Sequence, residues 1–89
     1  MNWSIELSKD ADKFLKKNRQ FEDALIKEIE KLIRKLNDEV ISINFKKLSG
    51  IWNGYHRIRK GNIRIIVFLD YPKKIVYVDT IDFRGDVYK

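Results

Sequence analysis

The stretch Tyr55-His56-Arg57-Ile58-Arg59-Lys60-Gly61-Asn62-Ile63-Arg64-Ile65-Ile66-Val67-Phe68-Leu69 decides the fold. Two runs of period-two residues flank Gly61-Asn62, a pair suited to a two-residue hairpin turn. Side chains at i and i+2 of a strand share a face. A two-residue turn then sets Arg59 opposite Arg64, Arg57 opposite Ile66, and Tyr55 opposite Phe68. One face carries Tyr55, Arg57, Arg59, Arg64, Ile66 and Phe68. The other carries His56, Ile58, Ile63, Ile65, Val67 and Leu69, nearly all aliphatic, and is the face expected to meet helices.

Outward from the hairpin, Asp70-Tyr71-Pro72-Lys73 forms a second turn leading to a strand over Ile75–Ile81. Upstream, Asn37–Ser49 reads as a loop. Before it, Phe21, Ala24, Leu25, Ile29, Leu32, Ile33 and Leu36 recur at three and four, one apolar stripe of a helix from about Gln20 to Leu36. The pairs Asp23–Lys27 and Glu30–Arg34 stand at i,i+4 on its wet side. A shorter helix holds Ala11, Phe14 and Leu15, with Ser8 as N-cap, and ends near Asn18. Trp3, Ile5 and Leu7 alternate with polar residues as a strand does. The order is β-α-α-β-β-β. That predicts an α+β fold, a single domain over 1–89, with a two-helix hairpin on one face of an antiparallel sheet.

Charge is distributed unevenly. The 89 residues contain 19 lysines and arginines against 13 carboxylates, a net charge of +6. Residues 1–40 hold nine of each sign, so the whole excess lies in the second half. Between Glu39 and Asp70 the only charged side chains are Lys46, Lys47, Arg57, Arg59, Lys60 and Arg64, an electrostatic footprint for a polyanion. The chain has no cysteine and one histidine, which excludes disulfides, thiol nucleophiles and a multi-histidine metal site. No metal ligand set or cofactor motif is visible. No apolar run approaches the roughly 20 residues of a membrane span, and no signal peptide is visible, so a cytoplasmic protein is expected.

Opposed arginines destabilise a sheet, and no carboxylate within the stretch offsets them. An external anion resolves the conflict, because the planar guanidinium fork suits phosphate. Neighbouring aromatics supply stacking surfaces for bases. The plainer alternative is a solvated basic edge whose arginines reach Asp79 or Asp82.

The run Lys47-Leu48-Ser49-Gly50, the segment Tyr55–Phe68 and the ending Arg84-Gly85-Asp86-Val87-Tyr88-Lys89 together resemble the RelE/ParE toxin superfamily, over essentially the whole chain. The resemblance implies a RelE-like, microbial RNase-type fold and the toxin of a type II toxin–antitoxin pair. For the RelE branch it implies a metal-independent endoribonuclease that cuts mRNA in the ribosomal A site. A ribose 2′-OH attacks the adjacent phosphate, leaving a 2′,3′-cyclic phosphate and a 5′-OH. The family's catalytic positions match Arg57, Arg59, Arg64, Arg84 and Tyr88. Arg64 and Arg84 are assigned to phosphate stabilisation, and Tyr88 to orienting the base or assisting proton transfer. Many relatives carry lysine where this chain has Arg57 and Arg59; arginine stays protonated, which leaves the general base unassigned.

Lys46, Lys47 and Lys60 are expected to contact RNA or the ribosome. Trp52 and Tyr55 either line the substrate groove or cap the core edge. His56, on the opposite face from the arginines, reads first as a structural histidine and second as an acid–base group. Trp3 belongs to the core or faces a partner. The implied partners are an antitoxin with an acidic C-terminal segment, in a hetero-oligomer, and mRNA on the ribosome, without a membrane. A ParE-like inhibitor of DNA gyrase is the alternative within the same fold.

Overall fold

The alternation at Trp3, Ile5 and Leu7 builds β1 (Ser4–Leu7), which hands over directly to α1 (Lys9–Lys17). Ser8 makes the junction. Its Oγ accepts the Ala11 N–H at 3.0 Å and donates to the Asp79 carbonyl at 2.6 Å, capping the helix and tying it to the last strand. Asn18 ends α1 and opens α2 (Arg19–Leu36): its backbone N–H and its Nδ2 both donate to the Phe14 carbonyl. The described structure, a computed structural model, covers residues 3–83.

The remaining elements are β2 (Phe45–Lys47), a 3-10 turn over Gly50–Trp52, β3 (Tyr55–Lys60), β4 (Ile63–Asp70) and β5 (Ile75–Phe83). Gly61 turns the β3–β4 hairpin at φ 61°, a conformation that costs glycine nothing and that a type II′ turn needs at its first central position. At the next turn the Lys73 N–H donates to Asp70 Oδ1 at 3.1 Å, the local bond that favours Asp at such corners. The sheet order is β1-β5-β4-β3-β2, with β1 parallel to β5 and the other pairs antiparallel.

The helices cover one face. Leu25, Ile29 and Leu32 of α2 meet Ile58, Ile65, Val67, Val76 and Val78, all essentially without solvent contact, and Ala11 and Leu15 of α1 close one end. Each fully buried aliphatic side chain contributes on the order of 1.5–3 kcal/mol of transfer free energy. The expected α+β architecture, the helix hairpin and the three-strand meander are all present.

Three local features differ from the sequence reading. Residues 45–47, expected in a loop, form β2 against β3, with Phe45 opposite Ile58, Lys46 opposite Arg57 and Lys47 opposite His56. A three-residue strand with one apolar side chain is too short to show a period. Strand β1 runs parallel to β5, so the sheet is mostly rather than wholly antiparallel. Strand β5 runs to Phe83 and carries a bulge: Val78 pairs with Val67 while Thr80 pairs with Ile66, leaving Asp79 as the extra residue.

Candidate nucleic-acid interface

The hairpin register is the one the two-residue turn implies: Arg59 opposite Arg64, Arg57 opposite Ile66, Tyr55 opposite Phe68. Neighbouring strands extend each pair into a row across the face turned away from the helices. The first row is Arg59, Arg64 and Asp82; the second is Lys46, Arg57, Ile66 and Thr80; the third is Tyr55, Phe68, Tyr77 and Glu6. Rows of one face repeat every two residues, about 6.8 Å along the strands at about 3.4 Å per residue. Two cationic rows therefore lie beside one aromatic row.

Arg57 and Arg64 are buried, at 8% and 3% exposure, and Arg59 is half-buried. Arg57 and Arg64 both have interaction partners within the chain. Arg59 Nε is buried with no hydrogen-bond partner among the described residues. The arginines thus form the floor of the face rather than a solvated fringe. A carboxylate does reach them, from outside the hairpin: the bulge turns Asp82 onto this face, directly opposite Arg64. The row still sums to one positive charge, and Arg57 and Lys46 in the next row raise the two rows to three. Guanidinium groups held in a desolvated floor act on a phosphate more strongly than the same groups in water, because the local dielectric is lower.

The aromatic row is continuous. The Trp52 ring meets Tyr55 edge-on at 5.3 Å, Tyr55 meets Phe68 at 5.4 Å, and Phe68 meets Tyr77 at 6.4 Å. Gly54, at φ 93°, passes close to the Phe68 ring; a Cβ there would stand 3.4 Å from it. Phe68 remains 38% exposed and Trp52 40%, so the row is partly open to solvent. Of the two readings of Trp52 and Tyr55, the structure places both beside the basic rows.

Other candidates lie elsewhere. Lys46 joins the arginines, as the register partner of Arg57. Lys47 points to the helix side, beside His56. Lys60 also lies on the helix side, its Nζ 3.7 Å from Glu28 Oε1, which Lys31 approaches at 3.2 Å. Glu28 is buried, so this pair anchors the hairpin end to α2. His56 stacks flat on Phe45, with centroids 4.8 Å apart and planes within 2°. Its Nδ1 is buried without a hydrogen-bond partner among the described residues. Burial first, and Lys47 second, lower its pKa from 6.5, which favours neutral imidazole on the face away from the arginines. Trp3 packs against the core, with its ring edge-on to Tyr71 at 5.6 Å. Arg84 and Tyr88 lie outside the described residues.

The sequence reading named Asp82 only within the plainer alternative, as a carboxylate the arginines reach, and did not find Tyr77 or Glu6 on this face. The bulge hides Asp82, since strict alternation along β5 from Val76 would send it to the helices. The parallel partner β1, which brings Glu6, has no local signal at all.

No protein-family model and no curated protein matches the chain by sequence. Solved structures do match by fold. A chain of the toxin–antitoxin complex RelBE2 from Mycobacterium tuberculosis superposes with a TM-score of 0.75 at 19% identity, over 94% of this chain and 100% of that one. A chain of the archaeal RelE–RelB complex from Pyrococcus horikoshii gives 0.72 at 19% identity, over 98% and 100%. A chain of the heterotetrameric YoeB–YefM toxin–antitoxin complex from Staphylococcus aureus gives 0.67 at 18% identity, over 93% and 98%. With helices on one face of a five-strand sheet and these likenesses over 93–98% of its length, the chain has the RelE-like fold.

Proposed function

We propose that this protein is the toxin of a type II toxin–antitoxin pair and an endoribonuclease that cuts mRNA on the ribosome. The observation that carries the reading is the row Arg59–Arg64, flanked by Arg57 and Lys46, on the helix-free face of a RelE-like sheet. In the reaction a ribose 2′-oxygen attacks the adjacent phosphorus, the bond to the 5′-oxygen breaks, and the 2′-OH proton is passed on as the leaving oxygen gains one. The products are a 2′,3′-cyclic phosphate and a 5′-OH. The arginines hold the phosphate and offset the charge that builds on its oxygens in the transition state. Lys46 and Arg57 hold the adjacent backbone, and a base lies on Trp52 at the exposed end of the aromatic row, outside the cavity lined by Tyr55 and Phe68. Arg84 and Tyr88 are assigned to the same centre. Lys47 and Lys60 are assigned to the ribosome, and an antitoxin with an acidic segment covers the basic rows.

Arginine cannot serve as the general base at neutral pH, so the protein works chiefly by charge and position. An enzyme of that kind needs its substrate pre-positioned, which the ribosome does for a codon in the A site. The test is in vitro translation with primer-extension mapping of the message. Cuts within codons that require ribosomes support the reading. Intact message together with accumulated gyrase–DNA cleavage complexes would overturn it in favour of a gyrase poison.

A further inference from the structure

A cavity of about 290 Å³ opens where the end of β1 meets the aromatic row, with Glu6, Ser8, Tyr55, Phe68, Tyr77 and Asp79 in its lining. Its charge is opposite to that of its surroundings. On a chain of net charge +6, it places two carboxylates beside three aromatic rings. Neither carboxylate forms an ion pair with another described residue. The bulge in β5 puts Asp79 at this cavity, and two bonds hold the residue: Ser8 Oγ donates to its carbonyl at 2.6 Å, and Thr80 Oγ1 to its Oδ2 at 2.8 Å. Glu6 is brought by the parallel register of β1, opposite Tyr77.

Ring faces carry partial negative charge and attract cations, and carboxylates add to that attraction. The same carboxylates oppose a nucleotide, which brings its own negative phosphate. The cavity therefore selects against the polyanion that the neighbouring rows attract.

We propose that this cavity receives an arginine or lysine side chain from a bound protein segment whose acidic residues lie over Arg57 and Arg59. The proposal rests on the partner assigned above and names how that partner is anchored. Its geometry follows from the strand. Tyr55, Arg57 and Arg59 stand on one face at steps of two residues, about 6.8 Å each. An extended segment alongside them keeps the same repeat, so its basic residue precedes or follows acidic residues two and four positions away. The pattern is cation-x-acid-x-acid, matching acidic-aromatic cavity, arginine and arginine in turn. Charge order then fixes the direction and register of the bound segment as well as its attraction.

Isotope-labelled protein titrated with a capped peptide Arg-Ala-Glu-Ala-Glu tests this, against the same peptide with citrulline, the neutral shape-mimic of arginine. The arginine peptide is expected to bind about ten-fold more tightly, the scale of one cation–π and carboxylate site, and to shift the ring resonances of Tyr55, Phe68 and Tyr77. The preference is expected to fall to about one-fold in the pair of substitutions Glu6→Gln and Asp79→Asn, with Glu6→Gln alone read if the pair lowers the melting temperature. Equal binding of the two peptides, or a preference that survives the substitutions, overturns the proposal. So does saturable filling of the cavity by adenosine or guanosine monophosphate in place of the arginine peptide. No ribosome or message enters the titration, so its failure and a failure of the cleavage assay are separate results.

Discussion

At the scale of single residues, Arg64 concentrates the physics of the site. It faces Arg59 on one side and Asp82 on the other, with 3% of its surface exposed. A like-charge pair across strands costs on the order of 0.2–1 kcal/mol, and desolvation adds to it. A carboxylate opposite one of the two arginines offsets part of that cost and leaves the row cationic. His56, on the other face, shows the reverse arrangement: a titratable group held in its neutral form. Because folding lowers its pKa from 6.5, the unfolded chain binds more protons than the folded one in the window just below that value. The stability that His56 contributes is therefore present above pH 6.5 and is lost as pH falls through the window. Urea titrations between about pH 7.5 and 5 should show stability falling on acidification, and the slope should lessen in His56→Gln. An unchanged slope would remove His56 as the cause.

At the scale of elements, the junction of β1, α1 and β5 bears most on the geometry of the site. Ser8 caps α1 and holds the Asp79 bulge at once. Ser8→Ala removes the cap and the bond to the bulge, for a loss of about 1–2 kcal/mol, read as a fall in melting temperature of about 5 °C or more. A loss below about 0.3 kcal/mol would mean that solvent replaces both bonds. The same junction explains what the sequence disclosed. The β3–β4 hairpin was legible because Gly61-Asn62 specifies a turn and both strands keep strict alternation. Helix α2 was legible from its apolar stripe. The far half of β5 was not, because its inward residues run Val76, Val78, Ile81 and Phe83: two steps of two divided by a step of three. That irregular step is the trace of the bulge, and it alone sends Asp82 to the arginine row. Strand β2 was hidden by its length, and the parallel pairing of β1 by the absence of any local turn to announce it. Arg57, Arg59 and Arg64 were located by residue and register; their burial was not, since it depends on packing across the whole sheet.

At the scale of the molecule, the helices carry nine basic and six acidic side chains interspersed, whereas the opposite face gathers Lys46, Arg57, Arg59 and Arg64 into two adjacent rows. Local density rather than net charge therefore marks the binding face. Single-stranded RNA that bridges Lys46, Arg57, Arg59 and Arg64 releases counterions as it binds. The logarithm of the binding constant should then fall with the logarithm of salt at a slope of about −2 to −3, at about −0.7 per neutralised phosphate. Lys46→Ala should reduce the magnitude of that slope by about 0.7 with any RNA sequence, whereas Lys31→Ala, on the helix side, should leave it unchanged. Equal effects of the two substitutions would show that overall charge, not the row, governs binding.

The central claim is that the arginine row stabilises the scissile phosphate of a ribosome-bound message. The most direct measurement is the single-turnover rate of mRNA cleavage on ribosomes holding one defined codon in the A site, for the wild-type chain, Arg59→Ala and Arg64→Ala. Melting temperatures serve as the check on folding. The account predicts rates at least about 100-fold lower in each folded variant with saturating protein, the loss typical of removing one donor to a developing anionic charge. Cleavage at the wild-type rate by a folded Arg64→Ala chain would contradict it.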